Sequence, residues 1–112
     1  MLLSKDQIIG KSDRDFQDVE VAEWGGTVRL GVLTSADRDS FESRLINEDD
    51  EDRLLNLRAR LVAKAIIDED GNRLFSDGDV IALGDKSAAV IDRLFKIVRD
   101  INGFDDEDLE GN

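Results

Sequence analysis

Between Asp68 and Asp79 the chain reads DEDGNRLFSDGD, with side-chain oxygens at positions one, three, five, nine and twelve of a twelve-residue stretch. That is the spacing of a calcium loop, in which Asp68, Asp70, Asn72 and Asp79 would be ligands for a hard divalent cation. Such a loop also needs glycine at its sixth position to turn sharply. Arg73 stands there, and Gly71 comes two places early. Moving the frame to correct the glycine would put Ile66, which has no donor, at the first ligand position. A plain hairpin turning at Asp70-Gly71 accounts for the same residues more simply, so calcium binding is the weaker alternative and no metal is expected.

Other chemistry is narrowed by what is missing. The chain has no His and no Cys, which removes Ser-His and Cys-His machinery, thiolates and the usual general base near neutral pH. Carboxylates are plentiful, but solvated runs of Asp and Glu do not provide the divided environments that push two pKa values apart for acid-base work. Gly25-Gly26 lacks the lysine and the strand-to-helix setting of a phosphate loop. The expectation is a non-enzyme without a cofactor.

With 27 acidic and 15 basic residues among 112, the net charge is −12, which argues against nucleic-acid phosphates or an anionic membrane as partners. A basic or apolar protein partner fits better. One alternative reading follows from the charge alone: an acidic binding module, either the calcium loop at 68–79 or a nucleic-acid-mimicking decoy that covers a basic surface. No apolar run is long enough to span a bilayer, and Met1-Leu2-Leu3 is too short for a secretion signal, so a cytoplasmic protein is expected.

The elements that must position any binding residue are legible from periodicity. A length of 112 residues suits a single domain. In Val19–Leu33, apolar and polar residues alternate on both sides of Gly25-Gly26, which predicts a β-hairpin with a two-residue loop. Counting outward pairs Trp24 with Thr27, Val21 with Leu30 and Val19 with Val32. Val19, Val21, Val28, Leu30 and Val32 then share a core-facing side, while Trp24 lies opposite with Ala22 and Arg29.

Helices are expected at about 35–47, 51–66, 77–83 and 86–102, with a single further turn at Lys5–Ile9 capped by Ser4 and Gln7. The acidic run Glu48–Asp52 is read as favourable first-turn charge on the second of these helices, and Arg53, Arg60 and Lys64 as its solvated outer face. Leu57, Leu61, Val62, Ile91, Leu94, Phe95 and Val98 are the expected core of the two longest helices. The fold class is therefore α+β, an N-terminal hairpin packed on a small, mainly helical bundle of about four helices. The compact domain should cover 1–104, followed by an acidic flexible tail at 105–112.

Two readings of Trp24, the only tryptophan, stand side by side. It caps the edge of the core or packs under the final helix, or it is an exposed aromatic anchor of the kind enriched in interface hot spots. Phe104 and Leu109, beside and within the acidic tail, are further partner-binding candidates.

The order VEVAEWGGTVRLGVLTSADRDSFE, followed by NLRARLVAKAIIDEDGNRLFSDGDVIALGDKSAAVIDRLFKIVRDINGF, resembles the tail assembly chaperones of long-tailed bacteriophages and prophages. The resemblance covers nearly the whole chain and is carried most specifically by EWGGTVR, RLVAKAIIDEDGNRLFSD and the helix ending at Asn102-Gly103. It implies a non-enzymatic protein of the host bacterial cytoplasm, absent from the mature virion. Such a protein binds the tape measure protein, keeps it soluble and helps recruit tail tube subunits. A frameshifted longer form of the protein is also common in that family, and would be another partner. Self-association is left open by the hairpin's free edges and by a basic helix face able to meet another subunit's acidic tail.

Overall fold

A computed structural model describes residues 1–104. Its sheet has three antiparallel strands in the order β1-β2-β3: β1 (Phe16–Val21), β2 (Gly26–Gly31) and the short β3 (Ile66–Ile67). The hairpin is present, but its register is different from the one counted from a two-residue loop. Val19 pairs with Val28 and Val21 with Gly26. The turn is the cause. Ala22–Trp24 wind into one turn of 3-10 helix, and Gly25 closes it in the left-handed region at φ 73°. Trp24 thereby leaves the strand. Each β1 residue is displaced by four positions from its counted partner, and an even displacement keeps every side chain on its face. Val21 and Leu30 accordingly point inward and are fully buried.

Five α-helices follow one another among the described residues: α1 (Lys5–Ile9), α2 (Ser35–Ile46), α3 (Leu57–Ala65), α4 (Val80–Gly84) and α5 (Ala88–Asn102). The short α1 has the full reciprocal cap between Ser4 and Gln7, yet none of its residues is buried. In α2 the Thr34 hydroxyl accepts from the Asp37 N–H at 3.1 Å, and Phe41 and Leu45 face the core. The helix expected from residue 51 starts only at Leu57, because Asn56 takes the left-handed conformation at φ 53°. Glu48–Asp52 therefore lies ahead of α3 in turns, where the Asp50 carboxylate accepts from the Asp52 N–H at 2.9 Å and pairs with Arg44 at 3.2 Å. These acids shape turns rather than complement a helix dipole. The second hairpin turns at Gly71 and bridges Ile67 to Arg73. A 3-10 turn at Asp77–Asp79 leads into α4, and Gly103, at φ 70°, ends α5.

Helix α3 is the centre of the molecule. All seven residues from Ala59 to Ala65 are buried, between the sheet, α2, α4 and α5. Leu61 and Val62 within it, and Phe41, Val90, Leu94 and Val98 around it, retain 2% or less of their surface. A helix apolar on most sides must be enclosed to be stable in water. Of the expected core, only Leu57 is no more than half-buried. The basic face is where the sequence reading fails: Arg60 and Lys64, expected in solvent, are 7% and 6% exposed, because the side of α3 they occupy is covered by neighbours from α2 and α4.

Candidate partner-binding surface

Trp24 is placed by the turn that displaced the hairpin register. It is half-buried, packs against the core from the side, and lines a shallow cleft of ≈ 400 Å³ with Phe75, Ala82, Leu83 and Lys86. One part of the indole sits on the core and the rest lines open space, so its exposure falls between that of a core residue and that of a free side chain. Its neighbour Glu23 anchors the turn. The carboxylate accepts from Arg93 of α5 through both terminal guanidinium nitrogens, at 3.0 and 2.8 Å. These bonds, and after them one from Glu23's own backbone N–H, hold its carboxyl at about 2, far below the ordinary 4.5.

Lys86 also lines a second and larger hollow, so the two adjoin. This is a groove of ≈ 940 Å³ between the start of α3 and one face of α5. Its floor is apolar, formed by Leu57, Ala59, Ile91 and Phe95, and Leu54 stands exposed at one end. Among the described residues its walls carry Arg58, Lys86, Lys96 and Arg99 together with the Asp92 carboxylate, and Arg99 also pairs with Asp100 at 3.3 Å. Asp92 takes a bond from Lys96 at 3.0 Å and pairs with Arg58 at 3.3 Å, and the Arg58 guanidinium lies 5.6 Å from the centre of the Phe95 ring. The Lys96 hydrogen bond is the main reason the Asp92 carboxyl titrates below its ordinary range. In a chain of net charge −12, the described lining of this groove is locally rich in cations. An apolar floor between basic walls suits a segment carrying aliphatic side chains along one face and acids at its margins.

The other sequence-predicted residues are placed as follows. Phe104 is buried, 6% exposed, with its ring edge-on to Phe41 at 5.8 Å between centroids and the Arg38 guanidinium 4.2 Å above it. Its aromatic surface is used inside the fold. Leu109 lies outside the described residues. Two of the four oxygen-bearing candidates have carboxylates that accept from backbone: Asp68 from the N–H groups of Asp70 and Asn72, both at 2.9 Å, and Asp79 from the Ser76 N–H at 2.9 Å. Among the described residues no group of three or more acids stands ready to hold a metal. Nor is any helix there long and apolar enough to cross a membrane. The α3–α5 groove was missed from sequence because two distant segments build it. Its one local trace is the spacing of Asp92, Phe95, Lys96 and Arg99, which shares a helix face.

No protein-family model and no curated protein matches the sequence. Among solved structures, the chain is similar to the tail assembly chaperone of bacteriophage HK97, with a TM-score of 0.60 and 22% identity, over 78% of this chain and 84% of that one. At that identity the likeness shows a common fold.

Proposed function

We propose that this chain is a non-enzymatic phage tail assembly chaperone, which binds the tape measure protein, keeps it soluble and helps recruit tail tube subunits around it. The observation that carries the reading is the fold, shared with the HK97 chaperone over most of both chains. The surface described above agrees with it. A tape measure protein is a long chain with exposed apolar helical surface, and a groove with an apolar floor and charged walls can cover such surface while net charge keeps the complex dispersed. Trp24 and the α3–α5 groove, joined at Lys86, are the contact surface in this reading. The protein then works in the host cytoplasm and stays out of the finished virion.

The test is co-production with the tape measure protein of the same viral or prophage genome. The partner should stay soluble and co-purify in moderate and in high salt, since apolar contacts outlast charge screening over ~8 Å at physiological ionic strength. Trp24→Ala should weaken the capture while the variant still melts cooperatively. A tape measure protein that aggregates as much with this chain as without it would overturn the proposal. Capture that is lost as salt rises would favour the acidic decoy.

A further inference from the structure

The α3–α5 groove is walled mainly by helices, and that limits the form of what it can hold. The backbone groups of α3 and α5 are spent on their own helical bonds, so an extended segment lying between them would find no ladder to join. A helix brings its backbone already satisfied and packs its side chains between those of the two helices it meets. Along the floor Leu57, Ile91 and Phe95 offer it aliphatic and aromatic surface, continued by the exposed Leu54.

Charge decides the margins of that helix. Arg58 and Lys96 keep 62% and 60% of their side-chain surface, so both can reach a bound segment. Lys86 is exposed at the junction with the Trp24 cleft. The first turn of α5 lines the groove through Ala88 and Ala89, and Ser87 gives it no side-chain cap, which adds the positive end of a helix dipole to the lining. Asp92 opposes these groups. Its carboxylate meets Arg58 through one oxygen, at 3.3 Å, and Lys96 through the other, at 3.0 Å. Ion pairs this exposed contribute little, so an incoming carboxylate can take over either cation without a large loss. While Asp92 stays between them, its charge repels the same newcomer.

We propose that the groove takes one amphipathic helix of the partner, its aliphatic face over Leu57, Ile91 and Phe95 and its flanking carboxylates on Arg58, Lys86 and Lys96, with Asp92 as the placeholder they displace. The partner's identity here rests on the chaperone reading, to which the chemistry of the bound segment is added. Asp92 then sets selectivity. An acidic helix must part Arg58 and Lys96 from it before it gains from them, so a segment with acids on both margins is favoured over one with a single stray acid.

The test titrates the full chain at low salt with three stapled helical peptides that share one leucine stripe and carry Glu, Gln or Lys along its margins, followed by NMR of the Leu, Ile and Val methyls. The Glu peptide should bind several-fold tighter than the Gln peptide and the Lys peptide weakest, with shifts at Leu57 and Ile91. Val21 and Leu30, fully buried in the hairpin, should stay put. Asp92→Asn should tighten the Glu peptide several-fold and leave the Gln peptide unchanged, which a merely structural role would not do. Arg58→Gln should weaken the Glu peptide and remove most of the gain from Asp92→Asn. Equal binding of the three peptides, or a weaker Glu complex in Asp92→Asn, would overturn the proposal. Either result in a chain that still keeps the tape measure protein soluble sinks the groove's selectivity alone. A Glu preference in a chain that leaves that protein aggregating keeps the site and sinks the chaperone reading.

Discussion

Glu23 and Arg93 make the only tie described above between the hairpin turn and α5, and it is sensitive to acid. The folded carboxyl titrates at about 2 and the unfolded one near 4.5, so the unfolded chain binds the proton more readily. The tie's contribution is therefore complete above pH 4.5 and disappears as pH falls toward 2. Glu23→Gln should melt a few degrees at most below the parent at neutral pH, since the pair is exposed, and the gap should close across that acid range in parallel melts. A core residue behaves otherwise. Leu61 is fully buried at the centre of α3, and Leu61→Ala should cost about 2–5 kcal/mol in denaturant titrations at any pH where the fold persists. Individual roles were legible in the sequence where the local pattern determines them, as for Leu61, Leu94 and Val98. The fates of Phe104 and Arg60 were not. Each depends on what a distant segment brings alongside, Phe41 in one case and the cover from α2 and α4 in the other, and no spacing near residue 104 or 60 encodes that.

At the level of elements, turns decide where the sequence reading holds. Gly25-Gly26 allows a two-residue loop, and it equally allows a 3-10 turn closed by one left-handed glycine. Alternation cannot separate the two, because the registers differ by an even number and leave the same faces inward. The hairpin and its buried face were therefore readable, while the exact pairing and the position of Trp24 were not. The same limit applies to α3, where Leu54 continues the helical spacing but Asn56, in the left-handed region, breaks the helix off before it. By contrast α5 ends where it was expected to, at Asn102, with Gly103 in the left-handed region as its cap. Gly103→Ala should lower stability by about 1 kcal/mol, seen as a lower denaturation midpoint with an unchanged slope.

For the molecule as a whole, charge is unevenly divided. The walls of the α3–α5 groove and the enclosed Arg60 and Lys64 of α3 are basic features that the −12 total conceals. Lys86→Glu, a change at an exposed position between the two adjoining clefts, should slow association with an acidic, amphipathic partner several-fold at low salt and much less at high salt, as read by stopped-flow binding. The folding temperature should barely change. The enclosure of α3 has a further consequence, which concerns time rather than shape. Its amides have no local route to water, so they should exchange with deuterium only when the whole domain opens, whereas α1, with no buried residue, should exchange almost at once. The chain thus carries a slow clock at its middle and a fast one near its first residues, and deuterium uptake followed by mass spectrometry would read both.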